Sequence, residues 1–182
     1  MKSWLGNING FFCVAALACL LGGCKTTEEK QRDKVQTILR FHLEVNPDGS
    51  DRNAPVPVYR QRPEMVNVEN APFLDSASIT EAAVVDMEGG FGIRIQLDIH
   101  GSRVLENVTA SNLGKRFAIY AIFPKDDPKN KVQETRWLAA PRITRRIANG
   151  IIVFTPDATR AECERMILGV NNVAVKLSNA PK

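Results

Sequence analysis

Apolar and polar side chains alternate between residues 91 and 99, and this pattern restricts the fold more than any other feature of the chain. The apolar positions are Phe91, Ile93, Ile95, Leu97 and Ile99. Because successive side chains of a strand point to opposite faces, the pattern predicts a strand with one buried face and one solvated face. The segment Glu88-Gly89-Gly90 precedes it and predicts a tight turn, so an antiparallel partner strand is expected over residues 81–87.

Several other short segments also have the composition of strands. Residues 117–123 are apolar on both faces, which predicts a central strand that is covered on both sides. The remaining predicted strands are 39–45, 56–60, 135–140, 151–154 and 172–177.

Two helices are predicted among these strands. The first runs over 102–112 with Ser102 as its N-cap, and the second begins at Pro156 after Thr155 as its N-cap. The sequence therefore predicts an α+β fold, in which two helices pack on a mostly antiparallel sheet, as a single domain over residues 35–182.

The N-terminal apolar run is too short to cross a membrane. Residues 11–21 form an unbroken apolar stretch after the positive Lys2, whereas a spanning helix needs roughly 20 residues. The stretch ends in Leu21-Gly22-Gly23-Cys24, which is similar to the lipobox of bacterial lipoprotein signal peptides. This resemblance implies that residues 1–23 are a signal peptide and that Cys24 becomes the acylated N-terminus of the mature protein. An ordinary secretory signal with an incidental cysteine is the alternative.

Acylation of Cys24 would make the lipid bilayer a partner of this chain. Two or more acyl chains, such as palmitate, are needed for stable anchoring. Lys25 stands where an aspartate commonly retains lipoproteins in the inner membrane, so we expect the periplasmic face of the outer membrane. Residues 25–34 are polar, so a flexible tether is predicted over 24–34, and a ten-residue chain of this kind spans about 17–19 Å.

Charge and cysteine content argue against nucleic-acid binding and against an intramolecular disulfide. The net charge is +4 with interleaved signs, and the basic cluster Arg142, Arg145 and Arg146 is interpreted as a solvated helix face or turn, so nucleic-acid binding is not expected. Of the four cysteines, Cys163 alone remains after the signal peptide leaves and Cys24 is acylated. No intramolecular disulfide is therefore predicted, and Cys163 is interpreted as a small buried apolar residue.

No catalytic constellation is evident in the sequence. The two histidines, His42 and His100, are interpreted as surface or strand-end residues, because no nucleophile or orienting group accompanies them. Asp126 and Asp127 are interpreted as part of a solvated turn rather than as paired acid and base groups. The sequence predicts no enzyme, no metal site, no cofactor and no small-molecule substrate.

Several short motifs follow one another in a characteristic order in the second half of the chain. They include Thr109, Asn112, Gly114, Lys115, Ala118-Ile119, Ala139-Ala140-Pro141, Ile143, Ile147, Gly150, Ile152, Ala158, Ala161 and Glu162. Together with Ile79-Thr80-Glu81-Ala82 and residues 91–113, this order resembles the head subdomain of the first periplasmic domain of SecD, a subunit of the bacterial protein-export machine. The resemblance covers residues 66–177.

The sequence departs from that family in three ways. The family has membrane helices with proton-linked function, and none is predicted here, so a proton-driven motor is not expected. Val153 stands where the family commonly has glycine, and the loop 124–134 is longer than the family's tight hairpin.

The resemblance implies a non-enzymatic module that binds polypeptide or an envelope protein, and it implies a link to protein export. An exposed edge strand would accept an extended segment by β-addition. The loops 46–54 and 124–134 are candidate partner contacts, although ordinary hairpin loops explain them as well. The alternative function is structural, in a scaffold for envelope assembly.

Overall fold

The computed structural model describes residues 34–125 and 132–179, and these residues confirm the predicted α+β class. In chain order the elements are β1 (Ile38–Leu43), β2 (Asn53–Val58), β3 (Glu64–Glu69), β4 (Leu74–Asp75), a single 3-10 turn (Ser76–Ser78), β5 (Ile79–Met87), β6 (Gly90–Leu97), α1 (Ile99–Ser111), β7 (Phe117–Pro124), β8 (Gln133–Ala139), β9 (Ile151–Phe154) and α2 (Arg160–Ser178). The signal peptide, Cys24 and nearly all of the predicted tether lie outside the described residues, as do Asp126 and Asp127.

The strands form three sheets, and every pairing is antiparallel. The sheets have the strand orders β4-β1-β7-β8, β2-β3 and β5-β6-β9. As the sequence predicted, β7 is central and covered on both faces, because Ile119 and Ala121 belong to the main core and Ala118 belongs to a second core under the β2-β3 hairpin.

The main core lies where α2 and the two larger sheets meet. Its buried side chains include Leu39 and Phe41 of β1, Ile93 and Ile95 of β6, Ile119 of β7, Ile152 of β9, and Cys163, Met166 and Val170 of α2. The alternation in β6 therefore correctly predicts a buried face, since its apolar side chains point into this core.

The β2-β3 hairpin was predicted only in part. The sequence indicated a short edge strand over 56–60 but no partner, whereas Asn53–Val58 pairs along its whole length with Glu64–Glu69. The hairpin buries Val58, Val66 and Val68 against sheet β4-β1-β7-β8. β3 was missed because only two of its six residues are buried and glutamates stand at both ends.

α1 begins earlier than predicted, and its N-cap is Asp98 rather than Ser102. The Asp98 carboxylate accepts a hydrogen bond from the Gly101 backbone N–H at 2.6 Å, which satisfies one of the free donors of the first turn. The strand therefore ends at Leu97, and Ile99, which the alternation placed on the buried face, is 76% exposed. A strong cap thus ends the period-two pattern two residues early.

α2 corrects two predictions. It begins at Arg160 rather than Pro156, because Thr159 and Glu162 form a capping box, and it continues through 172–177, where a last strand was expected. The Asn171 amide holds this part of the helix on β5, accepting from the Ala82 backbone N–H at 2.8 Å and donating to the Ala82 carbonyl at 3.0 Å. Short apolar runs do not distinguish a strand from a half-buried helix, so tertiary contact decides.

Across residues 34–125 and 132–179, neither helix has the length and apolar character that crossing a bilayer requires.

Candidate functional site

The outer edge of β9 carries backbone groups that pair with no strand of the described residues. The Leu97 N–H donates to the Gly150 carbonyl at 2.9 Å, so Gly150 faces β6. Backbone groups alternate in direction along an antiparallel strand, so Ile152 also faces β6, while the N–H and C=O of Val153 face the opposite side. Among the described residues no backbone partner is found for Val153 on that side.

An open groove of about 540 Å³ lies along this free edge. Its far wall is the irregular segment 141–149, which is fixed by hydrogen bonds to the end of α1 and the loop after it. Ile143 donates to the Lys115 carbonyl at 2.8 Å, and Ile147 donates to the Thr109 hydroxyl at 3.0 Å. The wall is therefore anchored at two points along its length.

The groove is apolar at its base. Phe117, Ile143 and Ile152 line it and are almost fully buried, and Val153 on the free edge is 45% exposed. A free strand edge next to such a base can accept both the backbone and the apolar side chains of an extended chain.

Three arginines give the groove a positive potential. They are Arg142, Arg145 and Arg146, the cluster for which the sequence predicts a solvated helix face or turn. The three side chains are exposed as predicted, but they lie in an irregular segment that forms the wall of a groove. The sequence contained the basic cluster and the strand of β9, but it did not show that they face one another.

His42 does not lie on the surface, and that prediction is wrong. It is 7% exposed, since the β2-β3 hairpin covers the face of β1 that was expected to be wet. Its Nδ1 lies 2.8 Å from the Glu69 carbonyl oxygen, and its ring meets the Trp137 ring edge-on at 5.2 Å. Burial lowers the pKa of His42, and the neutral ring fits this structural position.

His100 and Cys163, the other described candidates, lie far apart in the sequence and in different helices. His100 is exposed and lies in the first turn of α1 rather than at a strand end. Cys163 is fully buried, as predicted, and burial raises the pKa of its thiol to about 11. Within the described parts of the chain, no group of three or more His, Cys, Asp or Glu side chains is placed to hold a metal ion.

Of the two candidate contact loops, only 46–54 is fully described. The Asp48 carboxylate accepts hydrogen bonds from the Ser50 backbone N–H and hydroxyl and from the Asn53 amide, which keeps the pKa of Asp48 below its usual range. These bonds make it a self-contained turn, and the loop does not line the groove. The loop 124–134 lies largely outside the described residues.

A buried ion-pair network connects β8 to the start of α2. The Arg136 side chain is 7% exposed and donates to Glu134 and Glu162, and it lies over the Phe123 ring. The hydrogen bond from Arg136 lowers the pKa of Glu162 to about 2. Arg60 in the β2-β3 turn also reaches Asp157, so the network holds three elements together.

Comparison with known proteins gives one family and several similar structures. The sequence model of the SecDF P1 head subdomain matches residues 54–175. A structure described as that of a membrane component SecDF that enhances protein export is 17% identical, with a TM-score of 0.51 over 84% of this chain and 71% of that chain. A crystal structure of SecDF in a super-membrane-facing form is also 17% identical, with a TM-score of 0.52 over 81% of this chain and 21% of that one. No curated protein matches the chain in sequence.

Proposed function

The chain belongs to the SecDF P1 head subdomain family, and from that membership we propose that it is a lipid-anchored periplasmic protein whose head domain binds extended polypeptide without catalysing a reaction. The family match confirms the resemblance inferred from the order of motifs. The anchor is the acyl group on Cys24, and residues 24–34 are the tether that keeps the domain close to the bilayer.

The free edge of β9 is the observation that carries the binding proposal. Val153 offers one N–H donor and one C=O acceptor to the groove, and the base of the groove is apolar. β9 has four residues and is therefore about 13 Å long at the usual rise per residue. A polypeptide segment of four or five residues in extended form matches that length and adds a fourth strand to sheet β5-β6-β9.

Proline at position 153 tests strand addition directly. The Val153 N–H is not donated to β6, so Val153→Pro removes the free donor while leaving the pairing with β6 intact, and proline is tolerated at sheet edges. We expect the Kd for a fluorescently labelled, permanently unfolded polypeptide to rise at least tenfold, measured by anisotropy. Val153→Thr is the matched control, because it keeps the N–H and the β-branched shape, and its Kd should stay within twofold of the wild type.

Each outcome of this experiment has a clear meaning. A Val153→Pro protein that keeps its circular dichroism and melting temperature, but binds as well as the wild type, contradicts strand addition at β9. A wild-type protein that binds no unfolded polypeptide contradicts the proposed function itself.

Crosslinking in cells separates this function from a scaffold for envelope assembly. A photo-crosslinking residue at Asn149, which is exposed and lines the groove, should give a ladder of many adducts if the groove binds diverse polypeptides. The same residue at the exposed Asp51, outside the groove, is the control and should give few adducts. A single stoichiometric adduct at Asn149 would instead indicate one fixed envelope partner.

A further inference from the structure

We infer that the groove along β9 prefers extended segments in which apolar residues alternate with aspartate or glutamate. This inference rests on the proposed binding of polypeptide and adds the chemical class of the ligand. It is carried by two independent properties of the groove, namely the depth at which its apolar residues lie and the way its arginines are paired.

Alternation follows from the geometry of an added strand. Side chains of a strand beside β9 point in turn toward and away from the core. On the inward side they meet Phe117 and Ile152, which are almost fully buried, so these ligand positions favour apolar residues. On the outward side they are level with Val153, which is half-exposed, so these positions remain in contact with water and suit charged residues.

Two of the three groove arginines have no carboxylate partner among the described residues. Arg146 pairs with Glu106, but the Arg142 guanidinium donates to the Gly114 carbonyl, which carries no charge. Arg145 has no ion-pair partner among the described residues. Outside the groove, ion pairs with a carboxylate are made by Arg52, Arg60, Arg94, Arg116, Arg136 and Arg160, while none is found among the described residues for Arg40, Arg62 and Arg103.

The groove contains no charge of the opposite sign. Its lining residues between 117 and 153 include three arginines and neither aspartate nor glutamate. Acidic side chains on the ligand would therefore find two cations, Arg142 and Arg145, that no carboxylate of the described residues neutralises, while lysine or arginine side chains would be repelled. The free Val153 backbone groups favour a polypeptide as the source of these carboxylates. A polypeptide backbone can pair with both the N–H and the C=O of a strand edge, whereas a lipid headgroup or an inorganic anion cannot form such a ladder.

Three peptides of equal length test the preference with the full-length protein. Each nine-residue peptide carries valine at the odd positions, and the even positions are all glutamate, all glutamine or all lysine. At about 50 mM salt we expect the glutamate peptide to bind about tenfold more tightly than the lysine peptide, with the glutamine peptide between them. The difference should shrink severalfold at about 0.5 M salt, since exposed charges are then screened.

Single arginine variants identify the source of the preference. Arg145→Gln should weaken binding of the glutamate peptide about threefold or more and leave the glutamine peptide within twofold of its wild-type Kd. Arg52→Gln removes the same charge at an exposed position outside the groove and should change neither Kd.

The possible failures are distinguishable. Equal Kd values for the three peptides at low salt would overturn the charge preference and leave polypeptide binding standing. Absence of binding by every peptide would overturn both proposals. Tight binding to phosphatidylglycerol vesicles that Arg145→Gln abolishes, with no selectivity among the peptides, would assign the arginines to lipid and overturn the inference.

Discussion

Gly169 of α2 lies directly against Thr37, at the point where the chain enters β1. A Cβ atom placed on Gly169 would stand 2.3 Å from the Thr37 hydroxyl oxygen and 2.7 Å from the Thr37 backbone nitrogen. Thr37 is completely buried. The absence of a side chain at 169 therefore sets how closely α2 approaches the first strand.

Gly169→Ala should destabilise the domain, although alanine favours a helix by about 1 kcal/mol over glycine. The contact with a backbone nitrogen cannot be relieved by rotating a side chain, so α2 must shift, and overpacking of this kind costs about 1–3 kcal/mol. We expect a net loss in the free energy of unfolding, measured by urea denaturation. Glu164→Ala, at an exposed position of the same helix, is the control and should change stability by less than 0.5 kcal/mol. Unchanged or increased stability of Gly169→Ala would contradict the close contact.

Local patterns in the sequence predicted those strands whose burial follows from a regular pattern of apolar side chains. The alternation of β6 and the continuous apolar run of β7 both placed their strands correctly. Residues 172–177 show the limit, since the side chain of Asn171 and its bonds to Ala82 keep this part of the chain helical. The pattern of residues around Asn171 cannot predict that contact, because its partner lies 89 positions away in the sequence.

The candidate groove could be predicted only in its parts. β9 and the basic cluster were each evident, but the wall of the groove has no regular period. It is placed by bonds such as the one from Ile147 to Thr109, 38 residues away. The prediction for His42 was wrong for a related reason. Alternation in β1 indicates which side chains share a face, but it does not indicate that a hairpin covers the second face.

The ion pair between Glu162 and Arg136 should make stability depend on pH under acidic conditions. The pKa of Glu162 is lowered from its usual 4.5 to about 2 in the folded protein, chiefly by the hydrogen bond from Arg136. Its contribution is therefore complete above pH 4.5 and is lost as the pH falls through about 2. Glu162→Gln should lower the free energy of unfolding at pH 7 by about 1–3 kcal/mol and flatten its decline between pH 4.5 and 2.5.

Glutamine isolates the ion pair from the helix cap, because its amide oxygen still accepts the Thr159 backbone N–H in the capping box. The exposed Glu164→Gln serves as the charge control. If the Glu162→Gln protein declined with pH as steeply as the wild type, the lowered pKa of Glu162 would be refuted.

Burial of His42 predicts a second pH effect nearer neutrality. Burial is the largest influence and lowers the pKa of His42 below 6.5, and the charge of Arg40 acts in the same direction. The unfolded chain therefore takes up a proton at higher pH than the folded chain, so stability is complete above pH 6.5 and falls below it. Between pH 7.5 and 5.5 the wild type should lose more unfolding free energy than His42→Gln, which cannot titrate.

Glutamine suits this comparison because its amide can still donate to the Glu69 carbonyl. His100→Gln, at an exposed position in α1, is the control for the loss of a histidine as such. Parallel pH profiles for His42→Gln and the wild type would show that the His42 pKa is not lowered.

The last prediction concerns the proposed membrane anchor at Cys24. A single acyl chain binds a bilayer only marginally, whereas two or three chains hold a protein there stably. The Cys24→Ser protein should therefore lose labelling by radioactive palmitate, and it should no longer be found in the membrane fraction. Cys19→Ser should behave like the wild type, because cleavage of the proposed signal peptide, residues 1–23, would remove position 19.

The outer-membrane address is tested by a separate change in the same segment. Lys25→Asp should retain the acylated protein in the inner membrane, which sucrose-gradient separation of the two membranes would measure. A membrane-bound Cys24→Ser protein together with an unacylated wild type would refute the anchor. An unchanged distribution of Lys25→Asp would instead refute only the proposed outer-membrane sorting, because that variant leaves Cys24 in place.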